Sequence, residues 1–164
     1  MRVLLLQRHA QAESGAAYTR DIDRELSDSG RRDAERLGRH LADIEQVPPK
    51  VISSVAVRAQ ETAGHLLKGA GRDHEGVELN ETLYQAAPEE VVQEIQSLTS
   101  GVSAALLVGH QPAWGAVIQR LTGAQVEMRT GAIACVQLPV RSWSQVKARS
   151  GRLVWFLPPI AVRG

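Results

Sequence analysis

Residues 3–9 read VLLLQRH, an apolar run that passes directly into three polar side chains. A run in which every position is apolar is typical of a strand buried on both faces of a parallel sheet. Arg8 and His9 would then stand at the carboxyl end of that strand. Ligands of open α/β sheets bind at this end, so the stretch predicts an α/β fold and also the place of its site.

Outward from this strand, short apolar runs alternate with amphipathic segments along the whole chain. Helical stripes, with apolar residues at spacings of three and four, begin near residues 34, 59, 91 and 114. This alternation predicts one α/β domain over residues 1–164, with a mainly parallel central sheet and helices on both faces. The further predicted strands are residues 51–54, 77–79, 104–108, 133–138 and 153–157.

Serines mark two of the predicted helix starts. Ser27 or Ser29 would cap the first helix, and Ser53 or Ser54 the second. Arg58 then falls in the first turn of the second helix, where the positive end of the helix dipole favours an anion over a cation. A bound anion, shared by the helix amides and the guanidinium, would resolve this conflict. The alternative is an arginine that simply faces solvent.

The composition narrows the class of function. The chain carries 19 basic and 18 acidic residues, a net charge of +1, which argues against a general nucleic-acid binder. The apolar run at residues 3–6 is too short for a signal peptide or a membrane span, so we expect a cytoplasmic protein without membrane association. No cluster of metal-ligand residues has usable spacing, and neither a metal nor a cofactor is predicted.

The chain has a single cysteine, and Cys135 lies six residues before Arg141, the spacing of cysteine phosphatases. In those enzymes the intervening residues form a phosphate-cradling loop of small side chains. Here they form an apolar strand that contains Pro139, so we predict that Cys135 belongs to the core.

Two histidines, His9 and His110, follow predicted strands, and each has polar neighbours. A neutral imidazole can attack phosphorus and carry the phosphoryl group as a covalent intermediate. Cations such as Arg8 and Arg58 would lower the imidazole pKa and stabilise charge on the transferring group. Either histidine taken alone is better explained as a hydrogen-bonded residue at the edge of the core, but two at two strand ends, one beside an arginine, favour a site.

Four stretches together resemble the motifs of the histidine phosphatase superfamily, the phosphoglycerate-mutase-like fold. They occur in the family order and are LLQRHA at residues 5–10, DRELSDSG at 23–30, SSVAVRAQETA at 53–63 and VGHQP at 108–112. The short chain and the Arg-His-Ala variant are similar to the SixA-type phosphohistidine phosphatase branch.

The resemblance implies a role for each matching residue. His9 would be the phosphorylated nucleophile. Arg8, Arg58 and His110 would bind the phosphoryl oxygens, and Arg24 would contribute at the edge of the pocket. The expected activity is a phosphoric hydrolase that acts in signal transduction by protein dephosphorylation.

The general acid is the least defined part of the predicted site. Larger family members supply an acidic residue after the third strand, where this chain has Glu81, which can equally be a solvated loop carboxylate. Expulsion of an alkoxide from a phosphate ester requires a proton donor, whereas phosphohistidine releases an imidazole, a better leaving group. The expected partner is therefore a phosphorylated protein, such as a phosphotransfer domain. The alternatives are a phosphatase for a small phosphorylated molecule resembling α-ribazole phosphate, and a phosphoprotein-binding module with weak catalysis.

Overall fold

The computed structural model describes residues 1–162, and strands and helices alternate through most of this range. No helix within it is long and apolar enough to cross a membrane. All ten elements that the sequence predicts are present. They are β1 (Arg2–Arg8), α1 (Asp28–Asp43), β2 (Lys50–Ser54), α2 (Val57–Gly69), β3 (Val77–Asn80), α3 (Pro88–Gln96), β4 (Ala104–Gly109), α4 (Ala113–Thr122), β5 (Ile133–Leu138) and β6 (Arg152–Leu157).

The strands form one sheet in the order β3-β2-β4-β1-β5-β6. The first four strands of this order are parallel, whereas β5 pairs antiparallel with both β1 and β6. The predicted mainly parallel α/β fold is thereby confirmed. Arg8 is in register with Gly109 and Ser53 with Val108, so the carboxyl ends of β1, β2 and β4 meet at one edge of the sheet.

The apolar run of β1 is explained by burial on both faces. Leu4 and Leu6 pack into the core under α3 and α4, whereas Leu5 packs into the core under α1 and α2. All three are at most 1% exposed, and burying each side chain contributes about 1.5–3 kcal/mol. The two cores fix β1 in the middle of the sheet and so fix the position of the residues that follow it.

One of the two predicted serine caps is present. Ser27 Oγ accepts a hydrogen bond of 3.1 Å from the Gly30 N–H and caps α1. The predicted serine cap of α2 is wrong, because the helix begins later, after Ala56, which has no side-chain cap. Ser54 instead bonds the Ala56 N–H at 3.2 Å before the helix starts. Arg58 still lies in the first turn, as predicted.

Candidate active site

A cavity of about 440 Å³ opens at the edge where β1 and β4 end, beside the start of α2. The structure places at this cavity the four residues of the predicted phosphate pocket together with Arg24. The lining consists of Arg8, His9, Gln11, Ala12, Arg24, Arg58, His110, Gln111 and Thr130.

His9 directly follows β1 and is 8% exposed. Its Nδ1 lies 2.7 Å from the Ala10 carbonyl oxygen, so Nδ1 carries the proton and donates it there. The unprotonated Nε2 then keeps its lone pair. Burial lowers the pKa of His9 to about 4; the bond to Ala10 opposes this shift, and the charges of Arg58 and Arg8 add to it. At neutral pH His9 is therefore a neutral imidazole, the form that can act as a nucleophile.

The backbone around His9 is held from two sides. The His9 N–H donates to the Gly109 carbonyl at 2.9 Å, which ties the residue to the end of β4. The His9 carbonyl accepts from the Gly131 N–H at 2.8 Å, in the segment that leads into β5. Gly131 has a φ of 81°, a left-handed conformation that glycine adopts without strain. The segments next to both neighbouring strands of β1 thus position His9.

Thr62 adds a third support, which the sequence analysis did not identify. Its Oγ1 accepts the Ala10 N–H at 2.9 Å and donates to the Arg58 carbonyl at 2.7 Å. The side chain is fully buried. One hydroxyl therefore links the loop that carries His9 to the helix that carries Arg58. Thr62 lies in a quoted motif, but a threonine on a helix gives no sign of a partner 52 residues away.

His110 lies beside His9, with 5.3 Å between the centroids of the two rings. Its Nε2 is 2.8 Å from Ser54 Oγ, which also accepts the Ala56 N–H. This arrangement favours donation of the Ser54 hydroxyl hydrogen to Nε2, which leaves the imidazole proton on Nδ1. Burial, with smaller contributions from His9 and Arg58, lowers the pKa of His110 to about 3. His110 is neutral as well.

A glycine brings His110 to this position. A Cβ at Gly109 would overlap the ring of Trp114. Trp114 is fully buried, and its indole N–H donates to the Leu107 carbonyl at 3.1 Å. The ring therefore supports the end of β4 from within the core, and only a residue without a side chain fits before His110.

The side chains around the cavity include buried nitrogens that have no hydrogen-bond partner in the described part of the chain. Arg8 uses Nη1 to bond the Met128 carbonyl at 3.0 Å, and burial together with Arg58 lowers the pKa of its guanidinium. Arg8 Nε, Arg58 Nε and His110 Nδ1 are all buried and have no partner within residues 1–162. Leaving a buried donor unpaired costs about 1–3 kcal/mol of stability.

Arg58 is held by a carboxylate that the sequence analysis did not identify. Asp21 accepts from Arg58 twice, through its backbone carbonyl and through Oδ2, both at 2.9 Å. The Tyr84 hydroxyl donates to the same Oδ2 at 2.8 Å, and the Tyr84 ring lies edge-on to His110. Burial opposes ionisation of Asp21, but the bonds from Tyr84, Arg58 and Arg24 lower its pKa to about 2. The anion that pairs with Arg58 in the first turn of α2 is therefore the carboxylate of Asp21, from the protein itself.

The two remaining predicted residues differ in position. Arg24 lines the cavity and donates through Nε and Nη2 to the Glu13 carbonyl, at 3.0 and 2.9 Å, and through Nη1 to Asp21 at 3.2 Å. Glu81 is exposed, begins a short 3-10 turn and does not line the cavity. Its role as a general acid stays a prediction.

The structure can also be compared with two other kinds of site, a cysteine nucleophile and a metal centre. Cys135 lies in β5 and is 4% exposed, and burial raises its pKa to about 11. The prediction that Cys135 belongs to the core is confirmed. Within residues 1–162, no three His, Cys, Asp or Glu side chains come together in a group that could hold a metal ion.

Comparison with known proteins agrees with this geometry. Residues 4–86, half of the chain, match the model of the histidine phosphatase superfamily, branch 1. The Mycobacterium leprae protein ML1117 is 31% identical over 153 residues, which cover 85% of this chain and 89% of that protein. SixA from Agrobacterium tumefaciens has 26% identity and a TM-score of 0.80, over 96% of this chain and 98% of that one. The structure of the protein histidine phosphatase SixA in complex with tungstate has 22% identity and a TM-score of 0.84. This match covers 98% of the present chain and 99% of the SixA chain.

The matched half contains Arg8, His9 and Arg58, and the fold adds His110 from β4 to the same cavity. The chain therefore belongs to the histidine phosphatase superfamily, and its fold is that of the SixA-type members.

Proposed function

We propose that the protein is a phosphohistidine phosphatase that acts on phosphorylated proteins through a covalent phospho-His9 intermediate. The lone pair of His9 Nε2 attacks phosphorus, and the bond between phosphorus and the substrate imidazole breaks. That imidazole leaves with the bonding electron pair, as a neutral ring when its other nitrogen carries a proton. The Nδ1–H bond to the Ala10 carbonyl stabilises the positive charge that develops on the His9 ring.

Water then attacks phosphorus, and the bond to Nε2 breaks and returns its electron pair to His9. One water proton stays on the released phosphate and the other passes to solvent. Arg8, Arg58 and His110 line the cavity beside His9, and the two guanidiniums face the charge on the transferring phosphoryl oxygens.

The observation that carries the proposal is the absence of an acid at the cavity. No Asp or Glu side chain is among the described residues that line it. Asp21 pairs with Arg58 and is ionised at neutral pH, so it has no proton to give. Without a donor, expulsion of an alkoxide is slow, whereas an imidazole leaves without such help. This supports a substrate with a phosphorus–nitrogen bond.

The test compares leaving groups. Hydrolysis would be measured for a phosphohistidine-bearing phosphotransfer protein, for p-nitrophenyl phosphate, whose leaving group is good, and for glycerol phosphate, whose leaving group is poor. We expect rates to fall in that order. His9→Ala should abolish turnover and labelling of the enzyme from a radioactive phosphoprotein, whereas the matched variant His74→Ala, in an exposed loop, should change neither.

Other results would support the alternatives. Rapid turnover of glycerol phosphate that is lost in Glu81→Gln would indicate an ester phosphatase with Glu81 as its acid. Binding of the phosphoprotein with no turnover and no label on His9 would indicate a binding module. Either result would overturn the proposed function.

A further inference from the structure

Charge is distributed unevenly along the chain. Six of the 19 basic residues and none of the 18 acidic residues lie in residues 128–164. The whole chain has a net charge of only +1, but every Lys, Arg, Asp or Glu in this segment is a Lys or an Arg. Such a segment produces a local positive potential and raises the local concentration of anions.

Part of this segment lines a second basic cavity, of about 820 Å³ and wide open to solvent, in the connection between β5 and β6. Arg141, Lys147 and Arg149 line it, and no Asp or Glu from the described part of the chain does. Gln145 is also in the lining; its Oε1 accepts two backbone N–H groups, which leaves its amide hydrogens as donors. The lining thus combines cations and neutral donors and contributes no anionic side chain.

The cations are not neutralised by the protein. The exposed side chains of Arg141 and Lys147 make no ion pair or hydrogen bond with residues 1–162. Arg149 has a φ of 60°, a left-handed conformation that is strained for a residue with a Cβ, and its guanidinium packs against Gly123 at the end of α4. Three like charges around one cavity repel one another, and a bound anion would offset this repulsion.

The cavity is separate from the catalytic one. Because β5 runs antiparallel to β1, Leu138 pairs with Arg2, at the end of β1 opposite to His9. The connection that follows Leu138 therefore lies about 20 Å, one strand length, from the catalytic edge. Arg2 and Gln96 fix it by donating to the carbonyls of residues 141 and 146. An anion here would not compete with the phosphoryl group on His9.

We propose that this cavity, the β5–β6 cavity, is a binding site for a small polyanion that carries several phosphate groups, such as the oligophosphate chain of a nucleotide. Planar guanidiniums donate two parallel bonds to phosphate oxygens, and the ammonium and amide donors complete the set. The cations come from one short stretch, residues 141–149, which suits a small molecule better than a duplex or a membrane. The assignment does not depend on the proposed phosphatase function.

The test is a titration of ¹⁵N-labelled protein with inorganic triphosphate, followed by amide chemical shifts, which separates the two cavities. We expect saturable shifts at residues 139–151 in addition to any at the catalytic loop. Arg141→Gln with Lys147→Gln should weaken the binding at residues 139–151 by about tenfold, from a two- to fivefold loss for each cation. Added salt should weaken it as well.

A matched double variant provides the control. Arg32→Gln with Arg39→Gln changes the net charge equally at exposed arginines of α1 and should leave the binding unchanged. An equal loss in this control, or shifts confined to the catalytic loop, would overturn the proposal. Tighter binding of a polyglutamate peptide than of triphosphate would overturn the assignment of the ligand as a phosphate compound.

Discussion

Substitution of Thr62 by valine tests whether the buried hydroxyl positions the nucleophile. Valine has nearly the same volume as threonine, so the change removes mainly the acceptor of the Ala10 N–H and the donor to the Arg58 carbonyl. Both bonds are shielded from water, because Thr62 is fully buried. A buried N–H left without an acceptor costs about 1–3 kcal/mol, and we expect the free energy of unfolding to fall by that amount.

The same substitution should slow catalysis. The Ala10 N–H belongs to the peptide bond between His9 and Ala10. Loss of its hydrogen bond to Thr62 should therefore loosen the loop that, in the proposed mechanism, aims the His9 imidazole at phosphorus. A transition-state penalty of about 1.4 kcal/mol lowers kcat tenfold, and small misplacements of a nucleophile cost that much. We expect kcat on the phosphoprotein to fall about five- to twentyfold, with a smaller change in KM.

Urea unfolding followed by tryptophan fluorescence, together with turnover of the phosphoprotein, measures both effects. Thr62→Ser is the control, since it keeps the hydroxyl and loses only a methyl group. It should cost about 0.5–1.5 kcal/mol of stability and leave kcat within about twofold of the wild type. A valine variant with wild-type kcat, or a serine variant that loses as much kcat as valine, would refute the positioning role.

Three further predictions follow from buried and ionised groups. The pKa values of His9 and His110, about 4 and about 3, lie below the 6.5 of an unfolded histidine. The unfolded chain therefore takes up protons first, and the free energy of unfolding, measured by urea titrations, should fall as the pH drops from 7 to 4. Gln7 is fully buried, and neither of its side-chain polar atoms has a partner within residues 1–162. Gln7→Leu should raise the free energy of unfolding by about 1–3 kcal/mol, seen as a higher Tm. Asp21→Asn removes the negative charge beside Arg58 and should lower the inhibition constant of inorganic phosphate about two- to fivefold; an unchanged or higher constant in steady-state assays would contradict this.

The fold could be predicted from the sequence because the spacing of apolar residues along the chain directly indicates strands and helices. The unbroken apolar run of β1 requires burial on both faces, and Leu4 and Leu5 pack into opposite cores. The meeting of Arg8, Arg58 and His110 followed from one rule, that the carboxyl ends of parallel strands share an edge. Residues placed at the ends of regular elements could therefore be assigned before their contacts were known.

The supporting residues could not be predicted in the same way. Asp21 lies in a loop, and its bond to Arg58 spans 37 residues, a contact that no local pattern encodes. Tyr84 reaches the same carboxylate from a third segment. Ser54 was predicted as a helix cap, but the later start of α2 turns its hydroxyl to His110. Each of these outcomes depends on where two distant segments meet, which periodicity does not specify.

The charges of the site explain how a histidine can serve as nucleophile without a base to deprotonate it. Arg8, Arg24 and Arg58 carry three positive charges, and the ionised Asp21 reduces the net charge to +2, which matches a phosphoryl dianion. Burial and these cations together keep His9 unprotonated, so its lone pair is available at any pH well above 4. In the proposed mechanism, the arginines that depress the pKa of the imidazole also stabilise the phosphoryl group that it attacks. Substitution of one of these arginines should therefore raise the pKa of His9 and also weaken phosphate binding. A variant in which only one of these two quantities changes would contradict the double role.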